Sequence, residues 1–178
     1  AGRHATGAKY GKDLGMRKSD VSIEWFGKGN MCWRELRPTL NNLLKGGTCP
    51  DVLVLHLGEN NLVQEKGVAI LRAMKQDLQE VCKKWAGTYI LWCSWVPRRT
   101  WRGASKPAAI DRARRKVNGE MLTFCREQGI GRVDNGDIRY EVAAYFRQDG
   151  VHLSQVGMEL YVLNIREAVA VALGVPSR

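Results

Sequence analysis

No uncharged apolar stretch in this sequence is long enough to cross a bilayer. Runs such as residues 52–58 and 88–97 fall far short of the ~18 residues that a spanning helix requires, so a helical membrane span is excluded. Cysteine is sparse and poorly placed for cross-linking. Cys32, Cys49, Cys82, Cys93 and Cys125 form no C-x-x-C pair, and five thiols cannot all pair within one chain. Reduced thiols, mostly buried as small apolar groups, are expected, and with them an intracellular setting, cytoplasmic or nuclear. An initiator methionine and an apolar leader are both missing, and the opening Ala-Gly-Arg-His reads as a cut inside a longer protein. Acid is in deficit: 18 Asp plus Glu stand against 28 Lys plus Arg, a formal charge of +10. That surplus favours anionic partners such as nucleic acid or anionic substrates, and says nothing about fold. The chain is also too short for two ordinary domains, so residues 1–178 are expected to form one.

What is present alternates between two periodicities. Val21, Ile23 and Trp25 alternate with polar residues, which predicts a strand near a sheet edge. Residues 51–57 (DVLVLHL) are continuously apolar after the first residue, and 89–96 read the same way, as strands covered on both faces do. Between them Leu71, Met74, Leu78, Val81 and Trp85 recur at helical spacing, with Arg72, Lys75 and Asp77 off that face, which completes a βαβ unit. Trp33, Leu36, Leu40, Leu43 and Leu44 mark an earlier helix. Ile110, Ala113, Val117, Met121 and Phe124 mark a later one that Gly129 ends, followed by a short strand over residues 130–133. Ser154 caps a last helix whose Met158, Tyr161, Ile165, Val169 and Leu173 share a face, with Gly174 and Pro176 as the stop. The expected fold is α/β, three-layered, with a flavodoxin-like doubly wound parallel sheet.

In such sheets the ligand crevice lies beyond the carboxyl ends of the strands. After the strand at 51–57 comes Gly58-Glu59-Asn60-Asn61, either a turn with an Asn helix cap or a glycine turn presenting an amide donor to an oxyanion. Near the C-terminus stands Asp149-Gly150-Val151-His152. A carboxylate three residues before an imidazole can accept its Nδ1 hydrogen and leave Nε2 as a base; a histidine that only braces local backbone is the alternative.

Together, in this order and context, these blocks resemble those of the SGNH hydrolases, also called GDSL-type esterases and lipases. The resemblance runs from about Val21 to Leu173. It implies that Asn60 donates to an oxyanion, that Asp149 and His152 are two members of a Ser-His-Asp triad, that Gly58 shapes the Asn60 turn, and that Gly29, or nearly as well Gly27, adds a backbone N–H. It implies a small ester as substrate and requires neither metal nor cofactor. More narrowly, the run from Trp95 to Gly103 and the stretch from Arg112 to Asn118 resemble SGNH-like domains of vertebrate retroelement proteins.

The block that supplies the nucleophile in this family, a Gly-Asp-Ser-like turn after a central first strand, is missing. Residues 1–20 contain no apolar run, and Ser19 precedes the first recognisable strand. The resemblance therefore puts Ala1 in or near the first helix and the serine upstream, leaving the triad incomplete and this chain inactive by itself. Ser94, Ser105, Ser154 and Cys32 are poor substitutes: strand interior, charged loop, helix cap and helix start. The missing strand is expected to lie between the strand at 21–25 and that at 51–57, so the sheet must close up, gap or borrow a strand, with a loss of stability.

Arg98, Arg99, Trp101 and Arg102 cluster just past the second strand, either as a solvated loop or as a site for an anionic group or a stacked base. Arg112, Arg114, Arg115 and Lys116 add a basic run to the next helix. The alternative function is accordingly a non-catalytic, hydrolase-like module that holds nucleic acid on its basic surface.

Overall fold

The computed structural model describes residues 12–43, 45 and 49–176; Ala1 and Leu44 lie outside them. Three strands, β1 (Val52–Leu55), β2 (Tyr89–Cys93) and β3 (Gly131–Val133), form one parallel sheet in the order β1-β2-β3. Four helices accompany them: α1 (Leu36–Leu43), α2 (Gly67–Lys84), α3 (Pro107–Gln128) and α4 (Gln155–Leu173).

The pleat of the sheet separates two cores. Successive side chains of a strand point to opposite faces, and Ile90 and Trp92 pack with Leu36, Met74, Leu78, Val117 and Met121 from α1, α2 and α3. Leu91, Cys93 and Val133 face the other way, onto Tyr161, Val162, Ile165 and Val169 of α4. This is the expected three-layer α/β architecture. Each large apolar side chain buried here contributes roughly 1.5–3 kcal/mol, and Trp92, Met74, Leu78 and Met121 have no more than trace exposure.

Helix ends follow their sequence signals. Gly129 and Gly174 close α3 and α4 in the left-handed conformation, and the Ser154 hydroxyl accepts the Gly157 N–H to start α4. The buried stripe of α2 is the expected one, Met74, Leu78, Val81 and, just past its end, Trp85, except that Ile70 is buried at its start and Leu71 only half-buried. Leu43 is exposed.

The predicted strand at residues 21–25 does not form; this segment has no regular secondary structure. Ile23 and Trp25 pack against the α4 side of the core, and the Trp25 indole N–H donates to the Lys12 carbonyl at 2.6 Å. An alternating pattern becomes a strand only with a ladder partner. Among the described residues, β1 pairs with β2 alone, and no strand is hydrogen-bonded to its other edge. Val52, Leu53 and Val54 are correspondingly half-buried while β2 is covered almost throughout. No helix among the described residues is long and apolar enough to span a membrane.

Candidate active site

The C-terminal block is a tight turn that leads into α4. Arg147 N–H donates to the His152 carbonyl at 2.8 Å, Gly150 N–H to the Arg147 carbonyl at 2.9 Å, and Phe146 bridges Leu153 in antiparallel fashion. Within it, Asp149 Oδ2 lies 2.6 Å from His152 Nδ1, and Asp149 Oδ1 accepts the backbone N–H groups of Val151 and His152, each at 2.9 Å. The hydrogen bond from His152, then the two backbone donors, hold the Asp149 carboxyl well below its ordinary value. An ionised carboxylate at Nδ1 fixes the tautomer and leaves Nε2 as the unprotonated nitrogen. Arg102 adds a cation 3.6 Å from Asp149 Oδ2.

The second block starts at Gly58, whose φ of +106° is left-handed. A Cβ there would stand 2.8 Å from the Trp95 ring, so glycine serves both the turn and the tryptophan packed against it. A short 3₁₀ turn, Glu59–Val63, follows. Asn61 is buried and structural, its Oδ1 accepting the Trp33 N–H at 2.9 Å. Asn60 differs. Its Oδ1 accepts from an Arg98 guanidinium nitrogen at 2.9 Å, and its Nδ2 makes one long bond, 3.3 Å, to the Met31 carbonyl. A guanidinium only donates. Arg98 therefore orients the amide with its NH₂ turned away from the arginine and one N–H uncommitted among the described residues.

The loop after β2 touches both blocks. Arg98 holds Asn60, and the next two backbone N–H groups, of Arg99 and Thr100, donate to the Gly150 carbonyl at 2.8 and 3.0 Å. Beside Asn60 lies a cavity of about 220 Å³ lined by Gly27, Lys28, His56, Val96, Leu153 and Tyr161, among others. Leu153 brings the C-terminal block to its wall, whereas Asp149 and His152 stand outside the lining. Gly27 lines the cavity; Gly29 is exposed with open space about it and does not.

Sequence reasoning missed the floor of this cavity. His56 Nε2 lies 3.5 Å from Glu59 Oε1, Arg98 approaches the same carboxylate oxygen at 3.3 Å, and the His56 ring meets Tyr161 edge-on with centroids 5.2 Å apart. Burial pushes His56 down, but Glu59 reverses this and raises it to about 10. Burial likewise pushes Glu59 up, and His56 with Arg98 brings it to about 2. Both are thus charged at neutral pH. His56 Nδ1 and Glu59 Oε2 have no hydrogen-bond partner among the described residues. The signal was a histidine inside an apolar run three residues before a glutamate.

The other candidates divide. Trp101 is buried to 4% exposure with the Arg98 guanidinium 5.0 Å above its ring, so it offers no free face to stack on a base. Arg114, expected in a solvated run, is buried, bonding Asp111 at 2.9 Å and the Trp95 carbonyl at 2.9 Å. Ser94 Oγ accepts the Asn135 N–H and Ser154 is tied up as the cap, so neither hydroxyl is available as a nucleophile. Of the five thiols only Cys93 and Cys125 are fully buried, and Cys49 is exposed. Among the described residues no cluster of three His, Cys, Asp or Glu side chains is arranged to hold a metal.

Compared with family models and with curated proteins, the sequence matches none. Solved structures do match. A lipolytic protein of the G-D-S-L family from Veillonella parvula superimposes with a TM-score of 0.70 over 87% of this chain and 82% of its own, at 14% identity. A family 3 carbohydrate esterase from Clostridium thermocellum gives 0.65 over 83% and 69%, at 17% identity. The esterase domain of the ORF1 protein of a zebrafish retrotransposon gives 0.51 over 88% and 90%, at 20% identity. With the parallel sheet, the flanking layers and the post-strand blocks in place, the fold of this chain is that of the SGNH, or GDSL-type, hydrolases.

Proposed function

We propose that this chain is the larger part of a carboxylic ester hydrolase whose nucleophilic serine lies on a strand upstream of Ala1. The observation that carries the reading is the Asp149–His152 pair, with a carboxylate 2.6 Å from Nδ1. His152 Nε2 takes the proton from the serine hydroxyl as its oxygen attacks the ester carbonyl, then returns it to the departing alkoxide; water reverses the sequence to release the acid. Asp149 keeps the tautomer and balances the imidazolium. The uncommitted N–H of Asn60, with a glycine N–H from the segment at 27–29, stabilises the tetrahedral oxyanion. The unpaired edge of β1 and the cavity at its carboxyl end support a strand-and-turn as the missing piece. Ester hydrolysis also fits the structural neighbours, a lipolytic protein, a carbohydrate esterase and an esterase domain.

The test is an aryl acetate assay and a fluorophosphonate label on two proteins, the natural chain carried upstream through the preceding strand and residues 1–178. Turnover and label on the longer protein alone are expected. An inert longer protein would overturn the proposal.

A further inference from the structure

On the other side of the Arg98–Thr100 loop lies a larger cleft, about 640 Å³, between the loop after β2, the start of α3 and the loop after β3. Six arginines line it against three carboxylates, Asp111, Asp134 and Glu141. Asp111 is shared by Arg114 and Arg115, and Asp134 is engaged by Arg132. Two arginines have no carboxylate partner: Arg99 makes one long bond to the Tyr140 carbonyl at 3.4 Å, and the Arg139 side chain makes none among the described residues.

Three further features of the same cleft suit a phosphate carried next to a flat ring. Pro107 and Ala108 line it at the amino end of the 22-residue α3, whose N-cap, Lys106, supplies no side-chain acceptor. That end carries the positive pole of the helix and an uncapped backbone donor. Trp101, also in the lining, buries an indole N–H with no acceptor among the described residues. A buried donor without a partner is uncommon in a folded protein. Tyr140 stands on the rim with half its surface exposed, a ring free to stack.

We propose that this cleft binds the phosphates of a single-stranded nucleic acid, with Arg99, Arg115 and Arg139 as phosphate ligands and Tyr140 as a stacking platform for a base. The concave shape suits a strand with unpaired bases, which can thread a cleft and stack on an aromatic ring, rather than a duplex. The net charge of +10 supplies the long-range attraction. The site stands apart from the ester-hydrolysing groups and does not require that reading, though Arg98 and Arg99 belong to the loop that joins the two.

The test is fluorescence anisotropy of a labelled ten-nucleotide uridine oligomer with the full 178-residue chain over a series of salt concentrations. Inorganic phosphate and uridine monophosphate serve as competitors. Binding at low salt is expected. The double variant R115Q/R139Q should lose tenfold or more in affinity, with the slope of log K against log salt falling by about 1.4, roughly 0.7 for each single-strand phosphate contact removed. K83Q/K84Q, which removes the same charge from the end of α2, should stay within twofold. Tyr140→Ala should weaken the oligomer and leave phosphate competition unchanged. Equal losses in the two double variants would mean diffuse attraction and overturn the cleft assignment, as would no binding at low salt. Displacement by the monophosphate at the oligomer's own concentration would assign the cleft to a free nucleotide and overturn the strand.

Discussion

The Asp149 carboxylate divides its oxygens between two tasks: Oδ2 stands 2.6 Å from His152 Nδ1, while Oδ1 takes the N–H of His152 itself, with that of Val151, at 2.9 Å. One side chain thus fixes both the backbone of the turn and the ring that projects from it. Asp149→Asn keeps the shape and removes the charged acceptor. In the extended protein kcat should fall by on the order of 10⁴ with KM little changed, the cost of a misplaced tautomer in such triads. In residues 1–178 alone, nitrogen NMR should show the Nδ1–H tautomer in the parent and a mixture in the variant. Identical spectra would detach the carboxylate from the imidazole.

Arg98 acts on Asn60 at 2.9 Å and on Glu59 at 3.3 Å. Arg98→Met retains the stem over Trp101 and deletes the donors. Freed from its orienter, the Asn60 amide can rotate, so kcat is expected to fall by about 10- to 100-fold at nearly constant KM, less than the 10²–10³ lost when an oxyanion donor is removed outright. A changed KM at constant kcat would make Arg98 a substrate-binding group instead.

The His56–Glu59 pair predicts a two-sided stability profile. His56 is raised from 6.5 to about 10, so its contribution is complete below pH 6.5 and is lost as pH climbs towards 10. Glu59 is lowered from 4.5 to about 2, so its contribution is complete above pH 4.5 and is lost as pH falls towards 2. Urea midpoints should be flat between these limits as far as this pair is concerned. Glu59→Gln removes the charge that keeps His56 protonated against burial, so the imidazole turns neutral; the loss of the pair should cost about 3 kcal/mol near neutrality, with the alkaline arm abolished. An unchanged alkaline arm would show that His56 is neutral in the folded chain.

At Gly58 a methyl group would meet Trp95 at 2.8 Å on a backbone with φ of +106°. Gly58→Ala should therefore destabilise by about 2–4 kcal/mol, combining overpacking with left-handed strain. Thermal melting checks this, with a fall on the order of 10 °C for a chain of this size. A melt within a degree or two of the parent would mean that the tryptophan yields freely.

Much of the fold was legible because helix faces and buried strands are local patterns, and the Ser154 cap and the Gly129 and Gly174 stops are local chemistry. The strand at 21–25 was misread because alternation in Val21, Ile23 and Trp25 reports two faces and not a ladder partner. The Asp-x-x-His block could be read because its three-residue spacing makes the contact by itself. Arg98 upon Asn60 and the burial of Arg114 could not, since both depend on which loop the end of β2 meets, a matter of tertiary packing. His56 was hidden for the opposite reason: within DVLVLHL the apolar run suited a strand so well that the histidine inside it passed as strand.

The central claim is that Asn60 and His152 serve one ester carbonyl, and steady-state hydrolysis of an aryl acetate by the upstream-extended protein tests it. Asn60→Ala should lower kcat by about 10²–10³ with KM nearly unchanged, and His152→Ala should reduce turnover to the uncatalysed background. Full kcat in either variant of an active parent would contradict the account.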